Sequence, residues 1–123
     1  MLVNPTQAYL DGLTFSSLPS STAVAISVSV AANNAGSGNV YVIDGTQKKS
    51  LTMEVGKTYT FTHPTAHPLR FSSTNDGTHG GGEAYTSGVD TSSDGVTIIE
   101  VTADTPTTLY YYCSVPSGMG GSI

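Results

Sequence analysis

The chain has 123 residues, enough for one domain with its own hydrophobic core, and its Ser-, Thr- and Gly-rich composition suits an all-β domain with many turns. A net charge of −5, with Lys48, Lys49, Lys57 and Arg70 as the four basic side chains, excludes the cationic field that nucleic acid or an anionic membrane surface requires. The single cysteine, Cys113, excludes an intrachain disulfide and a thiolate zinc cluster within one chain.

Residues 1–21 place Leu2, Val3, Tyr9, Leu10, Leu13, Phe15 and Leu18 among the breakers Pro5, Gly12 and Pro19. No helix of useful length fits between those breakers, and the apolar content is high for a solvated tail. The expectation is an extended arm that lies on its own domain or on a neighbouring subunit, with these seven side chains as the interaction residues. No basic n-region precedes the apolar residues, so a secretory signal is not expected. The apolar stretch Ala23–Ala32 is too short to span a bilayer.

From Thr22 the pattern alternates strictly, with Val24, Ile26, Val28 and Val30 on one face, as a half-buried strand requires. Asn33–Gly38 is a turn cluster, and Asn39–Ile43 a second strand ended by Asp44-Gly45. Leu51–Val55 and Lys57–Thr62 read as two strands hinged at Gly56. Leu69–Ser72 reads as a short one, and Asn75–Gly82 as a Gly-rich loop. Val96–Thr102 and Thr107–Cys113 close the series, joined by a turn at Ala103–Pro106. Short strands at this spacing, with no convincing helix, predict a β-sandwich over residues 22–123.

Near the C-terminus the chain writes Cys113-Ser114-Val115-Pro116-Ser117-Gly118-Met119, and upstream His67-Pro68-Leu69-Arg70-Phe71. A mononuclear copper centre of the blue type takes two imidazoles and one thiolate in a trigonal plane, with a weak axial thioether. His67, Cys113 and Met119 match three of these donors. The second imidazole would fall at Pro116, which has no side-chain donor. His63 and His79 are the other two imidazoles of the chain that could replace it, and nothing in the spacing selects either.

This constellation resembles the cupredoxin-like domains, in which a Cys-x-x-His-x-x-Met loop follows a Tyr- and Leu-rich strand such as Leu109–Tyr112. Further resemblance lies in Tyr41-Val42-Ile43-Asp44-Gly45, in Val55-Gly56-Lys57-Thr58-Tyr59-Thr60-Phe61 and in Asp76-Gly77-Thr78-His79-Gly80-Gly81-Gly82. These segments are similar to short cupredoxin-like modules of marine bacteria and of virion proteins from phages infecting cyanobacteria. The resemblance covers residues 22–121 and implies a Greek-key β-sandwich. It also implies a phage-particle setting, in which a chain made in the host cytoplasm ends in the virion against a major capsid protein or another virion component, as a homo-oligomer. Copper is the cofactor of the intact motif. With Pro116 in the loop, the expectation here is a degenerate site with no cofactor, copper being the alternative. Taken singly, Cys113 reads as a buried small residue, Met119 as a gap filler over the end of the sandwich, and His67, before Pro68, as a residue held by backbone hydrogen bonds.

Other chemistry finds little support. His79-Gly80-Gly81-Gly82 lacks the Gly-x-Ser-x-Gly elbow that an esterase pairs with such a segment. Asp76, Glu83, Asp90 and Asp94 show no calcium-loop spacing. No acid–base pair stands out, so an enzyme is not expected. Two functions of other classes remain: electron transfer through copper, and a host-surface tip module using Tyr85 and Tyr110–Tyr112 as stacking faces.

Overall fold

A computed structural model of the protein describes residues 22–123, and the interaction residues expected in the arm (Leu2 to Leu18) lie outside them. The strands are β1 Thr22–Ala32, β2 Asn39–Ile43, β3 Thr46–Gln47, β4 Lys57–Thr62, β5 Leu69–Ser72, β6 Val89–Asp90, β7 Val96–Glu100, β8 Tyr110–Cys113 and β9 Gly121–Ser122. One turn of 3-10 helix spans Gly77–Gly80. The protein is an all-β sandwich. Its larger sheet has the order β3-β2-β1-β4-β7-β6 and its smaller one the order β9-β8-β5.

β1 joins two ladders along its length. Its first half pairs in parallel with β4, from Thr22 opposite Lys57 to Ser27 opposite Thr62. Its second half pairs antiparallel with β2, from Val28 opposite Ile43 to Ala32 opposite Asn39. The alternation read from the sequence survives both registers: Val24, Ile26, Val28 and Val30 pack on the core, while Ala23, Ala25, Ser27 and Ser29 face solvent.

The two layers meet through facing aromatic pairs. Phe61 on β4 packs edge-on against Phe71 on β5 at 5.4 Å between ring centroids. Tyr41 on β2 lies 6.2 Å from Tyr111 on β8. Such pairs add ~0.5–1.5 kcal/mol beyond the area they bury. Each tyrosine also satisfies its hydroxyl inside the layer: Tyr41 donates to the His67 carbonyl at 2.6 Å and Tyr111 to the Lys49 carbonyl at 2.7 Å. Burial pushes the Tyr111 hydroxyl up to about 12 and carries the Tyr41 hydroxyl further, with the Cys113 thiol beside Tyr41 acting in the same direction. Both groups hold their proton longer in the folded than in the unfolded chain. Stability from them is therefore complete below pH 10 and lost as pH rises through 10 toward about 12. Tyrosinate absorbance and circular dichroism followed together should show unfolding and ionisation in one alkaline transition.

Leu51–Val55 is not a strand, contrary to the alternation of Leu51, Met53 and Val55. Its backbone groups bond outside any ladder: Leu51 N–H to the Ser122 carbonyl at 2.9 Å, and Glu54 N–H to the Tyr59 hydroxyl at 2.7 Å. Leu51 and Met53 pack against the core from this irregular segment, while Val55 stays exposed. Val96–Thr102 and Thr107–Cys113 are shorter as strands than their patterns suggest. β3, β6 and β9 have two residues each and carry no readable period.

Candidate functional site

β8 delivers Cys113 to one end of the sandwich, fully buried, and the loop after it returns Met119 to the core, also fully buried. His67 lies just before β5, whose Leu69 stands opposite Cys113 in the ladder. The turn before β5 is fixed by backbone bonds, His67 N–H to the Pro64 carbonyl at 3.1 Å and Ser114 N–H to the Pro68 carbonyl at 3.0 Å. The Tyr41 hydroxyl grips the His67 carbonyl, so both main-chain groups of His67 are tied. The outcome is that Cys113 Sγ lies 3.8 Å from His67 Nδ1.

That separation carries chemical information. It is a hydrogen-bond distance between sulfur and ring nitrogen, and these two side chains are the ones that would hold a copper ion if one were bound. Met119 is buried in the same core cluster. The third plane donor is not supplied. Pro116 stands at the loop position and offers none.

The two remaining histidines are committed elsewhere. His79 places Nε2 2.9 Å from the Cys113 carbonyl, holding the strand end rather than facing the sulfur. His63 lies buried beside β7, with Nε2 3.1 Å from the Thr97 hydroxyl and Nδ1 2.9 Å from the Pro64 carbonyl. Thr97 in turn reaches the Leu69 carbonyl at 2.8 Å. Among the described residues no three His, Cys, Asp or Glu side chains converge. The donor set therefore does not fit the copper plane as it stands.

Asp76 is a positioning residue that motif reading missed. Its carboxylate accepts the Gly118 N–H at 3.0 and 3.1 Å, pinning the 113–119 loop against the Gly-rich segment. Asp76 itself adopts φ 63°, a left-handed conformation that Asp tolerates better than most residues. Behind it, Gly77 lies flat on the Tyr112 ring, where any Cβ would overlap the aromatic carbons. His79 adds an edge-on contact to the same ring at 6.2 Å. Asp76→Ala should free the Gly118 amide at about 1 kcal/mol, roughly fivefold faster local hydrogen exchange, with the core unchanged.

The tyrosines suggested as exposed stacking faces are placed otherwise. Tyr111 and Tyr112 are each 1% exposed, on opposite faces of β8, and Tyr110 and Tyr85 are half-buried. Tyr85 bonds by its N–H to the Phe71 carbonyl at the edge of β5. Asp90 and Asp94 are exposed, and the Asp90 carboxyl is held below its usual range by the Ser92 hydroxyl and N–H in a local turn.

Comparison of the chain with protein-family models, with curated proteins and with solved structures finds no match.

Proposed function

We propose that this chain is a non-enzymatic structural protein of a phage particle: a cupredoxin-like sandwich that decorates or cements the capsid or tail through its surface and N-terminal arm. The observation that carries the reading is the incomplete donor plane. His67 and Cys113 keep a separation of 3.8 Å, while Pro116 supplies no donor and His79 serves the Cys113 backbone. In this reading the former ligands work as core and turn residues. The partner is a major capsid protein or another virion component, met as repeated copies, so that many weak contacts sum to a persistent one. Motif resemblance supplies the particle setting, and low positive charge argues against a nucleic-acid or membrane role. Gradient-purified particles should carry the chain at a fixed ratio to the capsid protein; a chain found solely in the free fraction would end this reading.

The Sγ–Nδ1 geometry favours one second reading, a copper site of three donors. Two soft sulfurs and one imidazole without a fourth ligand suit Cu(I) better than Cu(II). The thiolate and the imidazole would hold the ion, with the Met119 thioether weakly beside them. When bound, the metal would supply one-electron chemistry. The discriminating result is one copper per chain retained through gel filtration under reducing conditions, and lost in Cys113→Ser.

A further inference from the structure

The end of the sandwich opposite Cys113 carries a groove of about 330 Å³ that nothing described above uses. Its apolar lining comes from Leu51, Met53, Val55, Val101, Leu109 and Ile123, filled out by threonines and Pro106, and among the described residues no charged side chain lines it. A dry aliphatic cavity of ~150 Å³ already accepts a benzene-sized group, so this larger, open groove has room for more than one apolar side chain. Val55 is 66% exposed, one of two large apolar side chains left that open among the described residues.

Where the chain enters the fold points to the occupant. β1 begins at Thr22, paired in parallel with Lys57. The start of β1 therefore lies next to the segment that ends at Gly56. At that same point Gly56 N–H bonds to the Val101 carbonyl at 2.8 Å, and Val101 N–H to the Lys57 carbonyl at 2.9 Å. β1 thus begins at the rim of the groove. Leu18 lies four residues from Thr22, a reach of up to ~14 Å, and Phe15 seven, up to ~25 Å. The arm has one charged side chain, Asp11, and all of its sequence from Gly12 to Ser21 is uncharged, matching an uncharged groove.

We propose that residues 13–18 of the chain's own arm occupy this groove, with Leu13, Phe15 and Leu18 as the seated side chains. The short tether gives the arm of the same chain a high effective concentration at the site, which an arm from a second copy lacks in dilute solution. The inference concerns the free chain and does not rest on the particle reading.

The chain supplies its own reporters. Met53 lines the groove, while Met119 is fully buried and is not among the residues that line it. Methionine-methyl NMR on the full chain should show the Met53 signal displaced when Leu13, Phe15 and Leu18 are all replaced by Ser, with the Met119 signal unmoved as proof that the domain stays folded. A second variant pair fixes the geometry: Leu18→Cys with Val55→Cys should oxidise to an intrachain disulfide at least ~10-fold faster than Phe15→Cys with Val115→Cys across the sandwich. An unmoved Met53 signal would overturn the proposal. So would disulfides that form between chains, or a Met53 displacement that vanishes on dilution, since both assign the groove to a second copy. All of this is read without particles, so its failure and a failure of particle attachment are separate results.

Discussion

A Gly120→Ala chain is expected to lose on the order of 3 kcal/mol, with Tm falling by ~10–20 °C for a domain of this size. A Cβ at Gly120 would overlap the Tyr111 carbonyl, which is backbone and cannot swing aside as a side chain could. Relief requires the chain to separate from β8 where Gly121 pairs with Tyr111 and Ser122 with Tyr110. Three further attachments go with it: the Met119 carbonyl to Tyr41 N–H at 3.0 Å, Leu51 N–H to the Ser122 carbonyl, and Ile123 N–H to the Leu109 carbonyl. Met119, fully buried, would then lose its seat. Thermal denaturation followed by circular dichroism measures the effect. A fall of under ~1 kcal/mol would mean that the C-terminal segment can shift without loss, and that Met119 is not held in place by β9.

Pro116→His should turn a chain with an incomplete donor plane into one that takes copper. The other plane donors stand 3.8 Å apart, and the loop that presents position 116 is anchored at Gly118 by Asp76. Adding a direct ligand should raise affinity by more than the ~10–100-fold that an outer-shell partner contributes. Titration with Cu(II) should give a single site with the intense visible band of a thiolate-to-copper transition. Cys113→Ser in the same background should abolish the colour. If Pro116→His stays colourless while remaining folded, the loop does not bring residue 116 to the open face of the His67–Cys113 pair, and the site is not a lapsed version of a copper centre.

Much of the fold follows from local pattern, and the exceptions have identifiable causes. β1 is plain because Val24, Ile26, Val28 and Val30 need one buried face and nothing else on that strand competes. Leu51, Met53 and Val55 show the same period yet form no ladder, because alternation records which side chains face the core and not where the amides bond. The Leu51 amide finds the carbonyl of Ser122, far along the chain, and the neighbouring Glu54 amide finds the hydroxyl of Tyr59, five residues on. The parallel pairing of β1 with β4 and the split of β1 between two ladders are likewise set by tertiary packing. At the site, His67, Cys113 and Met119 are legible because their residue types and spacing match three donors of a copper-loop pattern. Asp76 is not, since a carboxylate bonded to one backbone amide 42 residues away leaves no motif. Thr97 is equally silent: a fully buried threonine within a strand pattern reads as a β-branched residue, not as the link between His63 and the Leu69 carbonyl.

In the proposed function, attachment runs through the arm and the surface, and His67, Cys113 and Met119 serve as core and turn residues. A chain beginning at Thr22 keeps the whole core cluster formed among the described residues, so it should fold. Co-sedimentation of the full chain and of residues 22–123 with purified particles, with circular dichroism verifying that both are folded, tests this most directly. The full chain should pellet with the particles at a saturating ratio, and the shortened chain should stay in the supernatant. If residues 22–123 bind with undiminished affinity, attachment does not run through the arm and the central claim fails.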